Sequence, residues 1–151
     1  MTDRAGVEAG ARIVALARGW IGTPYVHQAS VRGVGTDCLG LIRGVWRAAI
    51  GPEPEAVPPY TRDWAEPAGE EVLLAAGGRW LRPRGEGAAE AGDILVFRMK
   101  AGGIAKHLGI AAETGAGASF IHAYSGHAVV ESPLSEPWRR RIAARFAFPT
   151  D

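Results

Sequence analysis

The sequence predicts an α+β fold, with N-terminal helices packed on a C-terminal antiparallel β-sheet. Three observations point that way. Apolar residues recur at helical spacing through the first half, the pattern changes beyond Gly77 to short β-rich runs, and glycine-rich breaks separate those runs. Helices followed by strands, rather than alternating with them, favour an antiparallel sheet over crossover units.

Taken in order, residues 7–20 carry Ile13, Leu16, Ala17 and Trp20 on one stripe with Arg12 and Arg18 elsewhere on the wheel, which reads as an amphipathic helix. Gly19, Gly22 and Pro24 end it, and residues 22–35, with three glycines and few strand formers, mark a loop of a length that compact domains usually keep for function. A second helix starts near Thr36 or Asp37, either of which can cap first-turn amides. It runs through Cys38, Leu41, Ile42, Val45, Trp46 and Ala49 to Gly51 and Pro52. Residues 51–59 hold four prolines and are read as a surface connection. Residues 64–76 are read as a third helix. Strands are expected over residues 93–98, 106–113, 119–123, 128–131 and 141–148. No repeat or linker divides the chain, so residues 1–151 are taken as a single domain.

Composition excludes several classes of function. Hydrophobic residues make up 47% and charged residues 22% of the 151, values ordinary for a chain that folds in water. A net charge of +1 is too small for a nucleic-acid footprint; the dense basic runs are residues 79–84 and 139–145, and the arginines near the end read as a solvated strand face. Neither a secretory leader nor an apolar run long enough to span a membrane is seen, so any substrate outside the cytoplasm requires another carrier. One cysteine rules out an internal disulfide and a multi-cysteine zinc site.

That cysteine, Cys38, is either a small buried hydrophobe or a nucleophile. Its place in the first turn of a helix favours the second reading, because unpaired amides and the helix dipole stabilise a thiolate and are expected to lower its pKa. A base is then needed. His107 heads a strand in which His107, Gly109 and Ala111 share one face and Leu108 and Ile110 the other, so the glycine leaves room beside the ring. His122, on the next strand, lies within reach to orient His107, or is a histidine at the core's edge satisfied by backbone. Zinc held by Cys38, His107 and His122 is a weaker alternative, since their separations match no metal-ligand spacing. His27 and His127 are given no catalytic role.

Five segments in order resemble the NlpC-type family of papain-like cell-wall peptidases. They are Gly22-Thr23-Pro24-Tyr25, Thr36-Asp37-Cys38-Leu39-Gly40-Leu41-Ile42, Ala91-Gly92-Asp93-Ile94-Leu95-Val96-Phe97, His107-Leu108-Gly109-Ile110 and Phe120-Ile121-His122-Ala123. The resemblance implies a papain-like fold, a catalytic triad of Cys38, His107 and His122, a Tyr25 that reaches into the site and an Asp37 that shapes the substrate pocket. It implies hydrolysis of peptidoglycan stem peptides between D-glutamate and the diamino acid, with no cofactor. Many family members have serine after the cysteine where this chain has Leu39. In this it is similar to members encoded with the tail genes of phages and gene transfer agents, which implies assembly in the bacterial cytoplasm, a place in the tail of a virion-like particle, and tail-hub or tail-tip partners. Residues 52–59 and 139–145 are the expected contacts for those partners. Two other readings stay open: a tail component that keeps the fold without activity, and a related fold transferring acyl groups through a thioester.

Overall fold

The computed structural model describes residues 4–55, 60, 71–85, 87–100 and 102–150. Helix α1 (Arg4–Arg18) begins earlier than the apolar pattern indicated and buries Ile13, Val14 and Ala17; Trp20, beyond its end, is buried too. A two-stranded hairpin, β1 (Ser30–Val31) and β2 (Gly35–Thr36), lies within the segment read as loop. Strands of two residues carry no alternation for a sequence pattern to reveal.

Helix α2 (Cys38–Ala49) starts where the capping residue placed it. The carboxylate of Asp37 accepts from the Gly40 amide at 2.8 Å, so the N-cap is Asp37 rather than Thr36. Gly40 has a reason to lack a side chain: a Cβ there would sit 1.9 Å from the Ala29 carbonyl oxygen and 2.4 Å from Thr36 Oγ1. The glycine lets the preceding loop lie directly on the first turn.

Helix α3 (Val72–Trp80) extends past the expected end at residue 76, and the part of that expectation over residues 64–70 lies outside the described residues, as do residues 56–59 of the proline-rich connection. Strand β3 (Arg82–Arg84) follows, then β4 (Ile94–Arg98), β5 (Ala105–Ala111), β6 (Ser119–His122), β7 (Val130–Pro133), the short helix α4 (Glu136–Arg140) and β8 (Ile142–Ala147). The five expected strands are present with ends shifted by a residue or two; β3 and α4 are additions.

Six strands form one antiparallel sheet in the order β3-β8-β4-β5-β6-β7, so the last strand inserts between β3 and β4. Its two faces have different cores. Ile94, Val96, Leu108, Ile110 and Ile121 join Ile13, Ala17, Leu41, Ile42 and Val45 in the larger one, beneath α1 and α2. Leu95, Phe97, Ala111, Phe120 and Leu134 form the smaller one on the other face, with Trp138 of α4 packed against it.

The arginines near the end are not simply solvated. Arg145 pairs with buried Asp93 at 2.7 Å, and Arg84 meets the same carboxylate at 3.0 Å, which fastens β3 and β8 to the entry of β4. Arg139 donates to the Leu134 carbonyl, Arg140 reaches Glu136, and Arg141 lies over the Trp138 ring. The basic run thus spends much of its bonding capacity within the chain.

Candidate active site

The start of α2 meets the sheet where β5 begins and β6 ends. A cleft opens there, lined by Tyr25, His27, Asp37, Cys38, Tyr60, Met99, Lys106, His107, Ala123, Tyr124 and Ser125. Four of the five sequence-nominated residues therefore border one space, and the fifth is bonded to one of them: His107 Nε2 and His122 Nδ1 are 2.9 Å apart.

Gly109 makes that histidine contact feasible. A Cβ at this position would fall 2.8 Å from the Phe120 ring and 3.4 Å from the His122 Cβ. With glycine between them the two rings meet nearly edge to face, 5.1 Å between centroids. The other side chains that pack on the pair are aromatic. Trp138 stands 5.8 Å from the His107 ring and 5.4 Å from the His122 ring, Tyr124 stands 5.7 Å and 5.9 Å away, and Phe97 lies 5.7 Å from His107.

This packing sets the charge state. Burial, with the neighbouring His122 second, lowers the His107 pKa from 6.5 to about 3. Burial, with His127 second, lowers that of His122 to about 4. Both rings are neutral near pH 7. Cys38 departs from the sequence-based expectation: its thiol is pushed up to about 12, first by burial and then by the Asp37 carboxylate beside it. Backbone hydrogen bonds pull the other way, one from Leu108 on β5 and two from Leu39 and Cys38 in the first turn of α2, the latter as a helix N-terminus should. Desolvation of the whole sulfur outweighs them. Burial thus disfavours both the thiolate and the imidazolium, and the Leu108 bond puts the sulfur against the backbone next to His107.

Asp37 sits almost wholly buried behind the thiol. Besides capping α2 it accepts from the Gln28 amide at 2.7 Å and from the Tyr60 hydroxyl. The main-chain oxygen of Tyr60 in turn accepts from His27 Nε2 at 2.9 Å and from the Gln28 side chain at 2.7 Å. Tyr25, half-buried on the cleft wall, is held by a bridge to Thr36 next to the cap. His27 thus acts as a strut for the wall, and His127 stands by Tyr124 outside the pair.

Sequence reasoning passed over Tyr60, Trp138 and Ser132, whose hydroxyl is 2.9 Å from His122 Nε2. Each reaches the site through tertiary contact alone, with no local pattern in the sequence to mark it. Among the described residues no group of three or more His, Cys, Asp or Glu is placed to hold a metal ion.

Comparison with known proteins gives a consistent result. The family model described as NlpC/P60 family matches residues 22–145. The solved NlpC/p60 domain of the peptidoglycan hydrolase SagA is 26% identical, with a TM-score of 0.60 over 92% of this chain and 98% of that one. A lipoprotein-like NLP/P60 family protein of Staphylococcus aureus is 22% identical, with a TM-score of 0.57 over 97% of this chain and 42% of its own. The peptidoglycan hydrolase RipB of Mycobacterium tuberculosis is 20% identical, with a TM-score of 0.54 over 99% of this chain and 69% of its own. No curated protein matches.

Proposed function

Because the chain belongs to the NlpC/P60 family and has its papain-like fold, we propose that it is a cysteine peptidase that hydrolyses the peptide stems of peptidoglycan, with Cys38 as nucleophile, His107 as base and His122 as the group that orients it. The observation that carries this reading is the convergence of a helix-capped cysteine and a hydrogen-bonded histidine pair on one cleft.

The neutral resting state shapes the mechanism. His107 uses Nε2 for His122, which leaves Nδ1 to serve the thiol. As the sulfur attacks the scissile amide carbon, Nδ1 takes the thiol proton, and the carbonyl oxygen becomes an oxyanion supported by the Cys38 amide and a neighbouring donor. Collapse breaks the C–N bond, and the imidazolium passes its proton to the leaving amine. Water then attacks the thioester while His107 accepts its proton, which returns the acid product and the thiol. Proton transfer accompanies attack, so no standing ion pair is required. The reading extends to the scissile bond, which is proposed to join the D-glutamate side-chain carboxyl to the diamino acid.

Delivery in a phage-tail-like particle is part of the same proposal, supported by Leu39 in place of serine after the cysteine. Detection of the chain in the tail fraction of purified particles tests it separately from the chemistry. For the chemistry, peptidoglycan digests are read by mass spectrometry with the native protein, Cys38→Ala and His107→Ala. The expected result is fragments ending at D-glutamate from the native protein alone. Cleavage that persists in Cys38→Ala refutes the assignment; no cleavage by any form favours a tail component that keeps the fold without activity.

A further inference from the structure

The hydrogen-bonded chain does not stop at His122. Its Nε2 lies 2.9 Å from the hydroxyl of Ser132, whose strand β7 runs beside β6 with Phe120 opposite Ser132 and Val130 opposite His122. Ser132 therefore reaches the ring diagonally across the ladder. It touches neither the cleft nor the thiol, and the mechanism above makes no use of it.

We propose that Ser132 is a positioning residue that fixes the tautomers of both rings in the order Ser132, His122, His107, and so keeps His107 able to accept the thiol proton. For His107 to act as base, Nδ1 must carry no proton, so Nε2 carries it and donates to His122 Nδ1. That nitrogen must then be an acceptor, which puts the His122 proton on Nε2, aimed at the Ser132 oxygen. The hydroxyl supplies the acceptor for this arrangement. It can also donate to a bare Nε2, so its bias lies in the orphaned N–H that its loss would leave, which costs more than an orphaned ring acceptor. Without it a buried N–H is left with no partner, a state native proteins almost never tolerate. The alternative then gains: His122 moves its proton to Nδ1 and donates to His107, whose proton is forced onto the nitrogen needed for the thiol. During turnover the same hydroxyl takes up the polarisation passed along when His107 becomes charged.

The inference rests on the peptidase reading only for its kinetic arm. The structural arm is direct: 15N-labelled histidine in the full chain, observed by long-range 1H–15N correlation, reports which nitrogen of each ring is protonated. In the native protein both rings are expected with the proton on Nε2. In Ser132→Ala both are expected to shift toward Nδ1, and kcat on peptidoglycan to fall by roughly tenfold or more with KM unchanged, the loss of one hydrogen bond's bias. Ser132→Thr keeps the hydroxyl and should restore the native tautomers and most of kcat. Unshifted tautomers in Ser132→Ala overturn the proposal, as does a shift that Ser132→Thr fails to reverse or one that leaves kcat untouched. If the native protein cleaves nothing, the peptidase reading fails while the tautomer result still decides the role of Ser132.

Discussion

Asp37 does three jobs with one carboxylate. It caps α2 through Gly40, holds the loop through the Gln28 amide, and receives the Tyr60 hydroxyl. Asp37→Ala should lose about 1 kcal/mol for the cap alone and more for the buried donors left unmet, read from urea unfolding. Asp37→Asn keeps an acceptor for the cap but removes a negative charge that holds the Cys38 proton on. The pH at which alkylation of the thiol accelerates should therefore fall in Asp37→Asn relative to the native protein; an unchanged inflection means that burial alone sets it. The cap was legible in the sequence because an aspartate before an apolar helical stripe is a local signal. The charge state of the thiol was not, since the dipole argument is local and the desolvation that outweighs it comes from residues dispersed along the chain.

At the scale of elements, the five-residue helix α4 has an effect out of proportion to its length. Through Trp138 it packs on His107, His122, Phe97 and Phe120 at once. Trp138→Ala should admit water to the histidine pair, move both pKa values back toward 6.5, and raise the acid limb of kcat/KM accordingly. The stability loss should stay below the ~3–5 kcal/mol of a fully buried aromatic, because Trp138 is only half-buried. An acid limb that stays put would assign the lowered pKa values to the sheet alone. The strands bearing His107 and His122 could be read from alternation and glycine breaks. Helix α4 could not, for five residues give barely one turn of periodicity, and Ser132 depends on the β6–β7 register, which no local pattern encodes.

For the whole molecule, the two suppressed histidines link stability to acidity. Each titrates near 6.5 when unfolded and at about 3 or about 4 when folded. Below 6.5 the unfolded chain binds protons that the folded chain refuses, so stability is fully present above that pH and declines as pH falls toward 4 and then 3. The limiting slope is about 1.4 kcal/mol per pH unit for each ring. Urea midpoints between pH 7 and 3 should fall less steeply in a His107→Gln, His122→Gln double variant; parallel curves would place the acid sensitivity elsewhere. The same enclosure bears on chemical survival. Peroxides and foreign disulfides attack thiolates that solvent can reach, and Cys38 is buried and protonated at rest. With one sulfhydryl in the chain and no second cysteine to rescue it by exchange, burial and protonation of that group should slow its oxidative loss.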